Sequence, residues 1–374
     1  MSPPPFRAEH IGSLLRPGDL LRARDDFATG VIDRQRLTAA ENEAIRNVVQ
    51  LQVDVGLKVI TDGEFRRGTY SDSFTSSGIS GVSIEVTEDT GYVSSTTHGH
   101  RMARRIPKVV ERIQWKGPQN AADFRFLRSL TDRAPNLMPK ITLPGPCYIH
   151  YRAGRANISH EAYPDLDAFW SDLVAAYTQE MRSLADAGCT YLQIDETSLV
   201  KLGDPRVQAL LKERGDDWRD LLKTYIAAVN AVVAGAPSGM TIGVHICRSQ
   251  DPTWQADIGY DPIAEPLFND MKVGIYFLEY DNARSGGFEP LRAVPPDKFI
   301  VLGLVASKVS ELESADLLKR RIEEASRYVK LEQLALSPQC GFSTSASEHV
   351  GISEEMERAK LARIVEVAHE VWGD

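Results

Sequence analysis

Eight short apolar runs recur along the chain, and segments with helical spacing separate them. Continuous apolar runs without polar alternation are typical of strands buried on both faces, as in a parallel sheet covered by helices. Eight such units predict an α/β fold, a (β/α)8 TIM barrel. The predicted strands are residues 8–11, 57–61, 140–143, 191–194, 241–244, 274–278, 299–302 and 333–336.

Two of the separating segments carry clear helix signals. Residues 167–187 place apolar side chains from Phe169 to Leu184 near helical spacing, and Gly188 follows as a helix stop. Residues 353–372 open with Ser353 and two glutamates and repeat apolar residues on one face. The last segment therefore predicts an amphipathic helix that closes the fold.

A long insertion, from about residue 78 to residue 136, separates the second and third predicted strands. Its alternating residues 82–86 and 91–93 predict a hairpin laid over one end of the barrel, as a lid or a homodimer contact. The basic stretch 101–112 is expected to be a solvated face of a helix or hairpin. We expect residues 1–374 to form a single barrel domain.

Composition narrows the function classes. A net charge of −9 argues against nucleic acid and anionic lipid as partners, because both require clustered Lys and Arg. The sequence shows neither a signal peptide nor an apolar stretch of membrane-spanning length, so we expect a cytoplasmic protein without a membrane partner. Four cysteines are too few for a disulfide scaffold and should be reduced, with Cys189 in the core.

Polar residues follow six of the eight predicted strands, at their carboxyl ends, where barrel enzymes collect their chemistry. Because these ends meet at one rim, residues remote in sequence are expected to lie together. The residues, in strand order, are Ser13, Glu64, Asp195, His245 with Cys247, Glu279 and Cys340.

Four of these side chains match the preferences of Zn²⁺. His245, Cys247, Cys340 and Glu279 would complete a tetrahedral set of one nitrogen, two sulfurs and one oxygen. Such a site carries a net charge of about −1, which suits it to binding a thiol and keeping it nucleophilic rather than to generating hydroxide. An isolated His-x-Cys pair is more often a pair of core residues, and Glu279 alone could be held by Arg or Lys.

These motifs resemble the catalytic barrel of the cobalamin-independent methionine synthases, within the methionine synthase II and uroporphyrinogen decarboxylase-like superfamily. The resemblance spans nearly the whole chain, and its motifs are highly specific. His245, Cys247, Glu279 and Cys340 look like the family's four zinc ligands. The resemblance implies a zinc-dependent S-methyltransferase that converts homocysteine to methionine.

The resemblance also implies a substrate site. Ile11, Gly12 and Ser13 are similar to the motif that grips the amino-acid carboxylate, and Glu64 and Asp195 to the carboxylates that bind the amino group. A zwitterionic thiol needs such partners because desolvated charges must be paired. Asp195 is also assigned a catalytic role.

The chain departs from the family's pattern on the donor side. We expect no additional N-terminal barrel of the kind that helps the full-length synthases to hold polyglutamyl folate. Tyr148, Tyr151 and Arg152 stand where the family has a tryptophan that stacks on the pterin, and Tyr151 is assigned to substrate binding. The segment 303–308 replaces an Asp and a His, and its Lys308 either protonates a leaving group, holds an anionic part of the substrate or is a surface lysine.

Three functions remain open at this stage. The first is homocysteine methylation, with a simpler folate or a small onium compound as methyl donor. The second is epoxide opening by a zinc-bound thiol, as in the epoxyalkane:coenzyme M transferases, although a sulfonate thiol would need cations rather than Glu64 and Asp195. The third is a metal-storage or binding protein, or a metal-free barrel of the porphyrinogen decarboxylase type.

Overall fold

A six-stranded parallel sheet forms the centre of the molecule. The computed structural model describes residues 6–87, 104–132, 134–248, 258–343 and 351–373. In this part of the chain the strand order is β10-β9-β8-β7-β6-β5, so strands that are consecutive in sequence lie side by side. The strands are β5 (Ile141–Pro144), β6 (Tyr191–Glu196), β7 (Thr241–Ile246), β8 (Ile275–Glu279), β9 (Phe299–Val305) and β10 (Leu334–Pro338).

Short parallel pairings extend this sheet at both ends. Strand β1 (Val59–Ile60) pairs with β4 (Met138–Pro139), which directly precedes β5, and Ala8 forms a bridge to Leu336 of β10. The expected strand over residues 8–11 is thus a single bridge. A side-chain hydrogen bond connects this segment to β1 instead: His10 Nε2 donates to the carbonyl of Val59 at 3.1 Å.

The mixed α/β fold with a parallel sheet is confirmed, but within the described ranges no backbone ladder joins residues 8–11 to β1. The closed barrel is therefore not shown. Side-chain hydrogen bonds join the two segments instead: besides the contact from His10 to Val59, Thr61 Oγ1 donates to the carbonyl of Gly12 at 2.7 Å.

Helices connect the strands, and both predicted helices are confirmed. Helix α5 begins after Asp165, whose side chain accepts from two backbone amides, and Gly188 follows it with φ +95°. Helix α9 begins after Ser353, which caps the amide of Met356. The helices are α1 (Gly18–Ala28), α2 (Arg34–Asp54), α3 (Ala121–Thr131), α4 (Tyr148–Ala153), α5 (Leu166–Asp186), α6 (Pro205–Arg214), α7 (Trp218–Ala234), α8 (Ala315–Ser326) and α9 (Glu354–Trp372). No helix among the described residues is both long and apolar enough to cross a membrane.

The insertion contains an antiparallel hairpin of β2 (Ile79–Thr87) and β3 (Arg104–Trp115). Residues 82–86 lie in β2 as predicted, whereas residues 91–93 fall outside the described residues. Much of the basic stretch forms β3. This strand packs beside the segment that follows β5: the amide of Ser159 donates to the carbonyl of Val109 at 2.8 Å, and Arg112 pairs with Asp172 at 2.8 Å.

A buried ion pair lies between the strands. Lys140 Nζ donates to Glu9 Oε2 at 3.0 Å, to the carbonyl of His10 and to Gln193 Oε1 at 3.0 Å. Tyr191 OH donates to the other oxygen of Glu9 at 2.7 Å. Lys140 and Glu9 are completely buried, so their charges are balanced within the core rather than by water.

A second buried carboxyl group makes stability depend on pH. Glu357 Oε1 accepts the amide of Leu15 at 2.8 Å, and burial raises the pKa of Glu357 to about 8 from 4.5. Between these values the folded state holds a proton that the unfolded state has lost. The contribution of Glu357 to the free energy of unfolding is therefore fully present below about pH 4.5. It decreases as pH rises toward 8, by up to about 1.4 kcal/mol per pH unit.

Replacing Glu357 with glutamine should remove this pH dependence, because the amide oxygen still accepts from Leu15 without titrating. Urea unfolding at pH 6 and pH 8 would measure the effect, and wild type should lose more stability than Glu357→Gln over this interval. Equal losses in both proteins would show that Glu357 does not titrate there.

Candidate metal centre

Four potential ligands converge at the carboxyl ends of β7, β8 and β10. One ligand atom from each of His245, Cys247, Glu279 and Cys340 lies within 4.8 Å of the others. His245 belongs to β7, Cys247 follows it, Glu279 ends β8, and Cys340 comes two residues after β10. Parallel pairing in order brings these ends to one rim, as the sequence predicts.

His245 lies among negative and acceptor groups. Its Nδ1 is 3.3 Å from Asp195 Oδ1, and its Nε2 is 3.4 Å from Glu279 Oε1 and 3.2 Å from the carbonyl of Gln339. Burial alone would lower the pKa of His245, but hydrogen bonds to Asp195 and Glu279 raise it to about 10. The surroundings therefore favour positive charge at this point, which a metal cation would provide.

The side chains of Cys247 and Cys340 are joined by a hydrogen bond. A hydrogen bond from Cys340 lowers the pKa of Cys247, and the same bond, together with burial, raises the pKa of Cys340 well above its usual value. Cys247 is therefore the more readily deprotonated of the two cysteines. Because a metal ligand must be deprotonated, metal binding would release the protons that the two thiols still carry.

Asp195 is held by a chain of buried hydrogen bonds. Gln193 Nε2 donates to Asp195 Oδ1 at 2.7 Å and to the carbonyl of Ile11 at 2.6 Å, while its Oε1 accepts from Lys140. Lys140 fixes the orientation of the Gln193 amide, and the amide fixes Asp195 beside His245. A carboxylate behind a histidine ligand is the usual arrangement in metal sites, where it orients the imidazole.

Glu64 is buried near Asp195, and its backbone conformation is strained. It has φ +62°, and no other non-glycine residue in the described ranges has positive φ. Its Oε1 accepts from Thr142 at 2.6 Å and lies 3.3 Å from Arg67, whereas its Oε2 has no hydrogen-bond partner among the described residues. Burial raises the pKa of Glu64, and the charge of Asp195 adds to this rise. The open oxygen is suited to a cationic group of a ligand.

The segments after the first and last predicted strands touch at Ser13. The amide of Phe342 donates to the carbonyl of Ser13 at 2.9 Å, and a Cβ added to Gly341 would collide with the Ser13 side chain. Gly12 has φ +132°, and an added Cβ would lie 2.8 Å from Thr142. Ile11 instead packs into the apolar interior.

Lys308 lies near Cys340, whereas Tyr151 lies near Lys201. Lys308 Nζ donates to the carbonyl of Phe342 at 2.9 Å, and its charge acts to lower the pKa of Cys340. Tyr151 is buried; its carbonyl accepts from Arg214 at 3.2 Å, and its ring centroid is 5.7 Å from Lys201 Nζ.

Sequence reasoning missed Lys201. This lysine lies on the short 3-10 helix Val200–Gly203 after β6 and is 6% exposed. Burial and the nearby Arg152 lower its pKa to about 8, while Cys247 and Glu279 act in the opposite direction. The available signal was a charged residue inside the apolar loop that follows Asp195.

Comparison with known proteins identifies the family. The profile of the cobalamin-independent synthase catalytic domain matches residues 6–370. The Bacillus subtilis protein YxjG is 39% identical over 372 residues, covering 99% of this chain and 95% of the relative. The methionine synthase of Pyrococcus abyssi is 25% identical, covering 95% and 91%. A Listeria monocytogenes structure assigned as a vitamin-B12-independent methionine synthase is 34% identical, covers 100% of both chains and superposes with a TM-score of 0.77. The chain therefore belongs to the cobalamin-independent methionine synthase family, which is a family of methyltransferases.

Proposed function

We propose that this protein is a zinc-dependent thiol S-methyltransferase that methylates homocysteine to methionine. The observation that carries the proposal is the convergence of His245, Cys247, Glu279 and Cys340 beside two buried carboxylates. The proposal includes a closed (β/α)8 barrel as a single domain. It is supported by the parallel bridge of Ala8 to β10 at one end of the sheet and by the parallel pairing of β1 with β4, which leads into β5, at the other.

The residues present fit zinc. Two cysteines, one imidazole and one carboxylate give a mixed sulfur, nitrogen and oxygen set, and Asp195 orients the imidazole. Bound zinc would supply a Lewis acid that keeps an incoming thiol deprotonated at neutral pH. Because the four ligands carry more negative charge than the zinc ion neutralises, the bound sulfur would stay electron-rich.

The substrate amino acid is assigned to the adjacent pocket. Glu64 Oε2 and Asp195 would pair with its ammonium group, and the backbone around Gly12 and Ser13 would hold its carboxylate. Fixing both charges aligns the thiol sulfur with the metal centre, and alignment is the main catalytic task in an in-line displacement.

In the reaction, a sulfur lone pair forms the new S–CH₃ bond while the bond between the methyl group and the donor atom breaks, and the donor keeps that electron pair. The thiol gives up its proton to solvent before this step. A sulfonium donor would then leave as a neutral thioether and would need no proton. Lys308, beside Cys340, is assigned to donors that do need one or that carry an anionic part.

A methylation assay that compares two thiol acceptors tests the proposal. Zinc-loaded protein is incubated with homocysteine or 2-mercaptoethanesulfonate and, in turn, 5-methyltetrahydrofolate, dimethylsulfoniopropionate or trimethylsulfonium, and product mass is followed. Methionine should form, and the sulfonate thiol should remain unmethylated. Glu64→Gln should raise KM for homocysteine about 10- to 100-fold, the equivalent of one charged hydrogen bond.

The control is Glu85→Gln, which makes the same chemical change in the hairpin, where Glu85 pairs with Lys108 at 3.1 Å. It should leave KM unchanged. Methylation of the sulfonate thiol in preference to homocysteine would show that the acceptor is a sulfonate thiol and not homocysteine, and no alkylation of either thiol would reject the proposal.

A further inference from the structure

One buried glutamine is hydrogen-bonded to both segments assigned to the substrate amino acid. Gln193 lies in the middle of β6 and is completely buried. Its Nε2 donates to the carbonyl of Ile11 at 2.6 Å and to Asp195 Oδ1 at 2.7 Å. Ile11 directly precedes the backbone of Gly12 and Ser13, which is assigned to the substrate carboxylate. Asp195 is assigned to the ammonium group, so one amide nitrogen joins the two halves of the amino-acid site.

Lys140 determines the orientation of the Gln193 amide. Lys140 Nζ lies 3.0 Å from Gln193 Oε1, and a lysine ammonium group can only donate. The amide oxygen must therefore face Lys140, which leaves the NH₂ group facing Ile11 and Asp195. Lys140 is itself held by Glu9 Oε2 at 3.0 Å. The two donated bonds thus have a fixed direction, set from inside the core.

The segment from Ile11 to Ser13 is held through its carbonyl groups. Besides the bond from Gln193 to the carbonyl of Ile11, Thr61 Oγ1 donates to the carbonyl of Gly12 at 2.7 Å. The amide of Phe342 donates to the carbonyl of Ser13 at 2.9 Å. Of these three donors, Gln193 is the one that also bonds the ammonium-binding carboxylate.

The spacing between the two segments matters most for a zwitterion. Homocysteine carries its ammonium and carboxylate groups on one carbon atom, so both charges are paired only when the two segments stand at a fixed separation. A thiol with one of these charges needs only one segment. Because an unpaired desolvated charge is costly, a shift of either segment should weaken homocysteine binding more than the binding of a singly charged thiol.

We propose that Gln193 is a positioning residue that selects α-amino-acid thiols, because it fixes the carboxylate-binding segment relative to the ammonium-binding Asp195. It acts through these two groups and does not itself bind the substrate. This inference rests on the proposed function and names the residue that sets its specificity for the thiol.

Binding without a methyl donor tests this role, since no turnover can occur. Isothermal calorimetry of the zinc-loaded protein would compare homocysteine with 4-mercaptobutyrate, which lacks the ammonium group, and with 3-aminopropane-1-thiol, which lacks the carboxylate. All three offer the same sulfur to the metal, so their relative affinities report on the amino-acid site. Wild type should bind homocysteine at least about tenfold more tightly than either analogue, and Gln193→Met should lose most of this preference.

A second variant, Gln193→Glu, tests the double hydrogen bond itself. Glutamate has the same length and still offers Lys140 an acceptor, but a carboxyl group carries at most one O–H and cannot donate to both Ile11 and Asp195. Gln193→Glu should therefore lose the preference as well. This variant provides the test if the apolar replacement does not fold.

The control is Gln333→Met, which removes another buried glutamine whose Nε2 donates twice, to the carbonyls of Pro295 at 3.0 Å and Lys298 at 2.9 Å. Gln333 directly precedes β10, at the end of the strand opposite the rim, so the variant should keep the wild-type preference. Zinc content and thermal unfolding of every variant would establish that the metal centre and the fold are intact.

Equal binding of the three thiols by wild type, or an unchanged preference in either Gln193 variant, would overturn the inference. The methylation assay decides the proposed function separately, because methionine formation from homocysteine does not depend on how much more weakly the two analogues bind.

Discussion

Cys247→Ser should lose stoichiometric zinc and nearly all thiol alkylation. Serine offers a poor ligand in place of a thiolate, and Cys247 is the sulfur whose pKa is lowered in the cluster. Loss of the metal removes several kcal/mol of charge stabilisation, so turnover should fall by at least about 10²-fold. Metal analysis by mass spectrometry and methionine formation would measure both effects.

Cys189→Ser is the matched control, because Cys189 is also a buried free cysteine but is not part of the cluster. Its Sγ donates to the carbonyl of Tyr191, a bond that serine can also make. The control should keep zinc and activity. Full zinc content together with undiminished turnover in Cys247→Ser would contradict the assigned centre.

Glu9→Gln should destabilise the fold by about 3–5 kcal/mol, because it leaves the completely buried Lys140 without its counter-charge. Urea unfolding of the zinc-free proteins would measure the change apart from metal binding. The double variant Glu9→Gln/Lys140→Met removes both charges and should recover much of the loss.

Comparing the single variants with the double variant separates the loss of charge pairing from the change in packing, since both affect the free energy of unfolding. Lys140→Met leaves Glu9 unpaired, although Tyr191 still donates to it, and should also be less stable than wild type. If the double variant were as unstable as the sum of the single ones, the pair would contribute no coupling and the assigned role of Glu9 would be wrong.

The fold was predictable because buried parallel strands leave a strong local pattern. Continuous apolar runs locate β5 to β10, and Gly188 and Ser353 mark a helix end and a helix start. The prediction was weakest where pairing partners decide the structure. Residues 8–11 make one bridge, and the second arm of the hairpin begins far downstream of the first, which local alternation does not reveal.

The convergence of the four potential metal ligands was predictable for a related reason. These residues follow strands whose carboxyl ends must share a rim, so residues far apart in sequence are brought together by topology alone. Lys201 was missed because the direction of a loop side chain depends on how the loop folds. The hydrogen-bond chain from Lys140 through Gln193 to Asp195 was missed because Lys140 was counted within an apolar strand, although a buried lysine requires partners.

X-ray absorption at the zinc edge tests the central claim most directly. For the reconstituted wild-type protein we predict two sulfur ligands at about 2.3 Å and two nitrogen or oxygen ligands at about 2.0–2.2 Å, with one further sulfur when homocysteine is added. A zinc ion without sulfur ligands, or a coordination sphere that homocysteine leaves unchanged, would contradict the account.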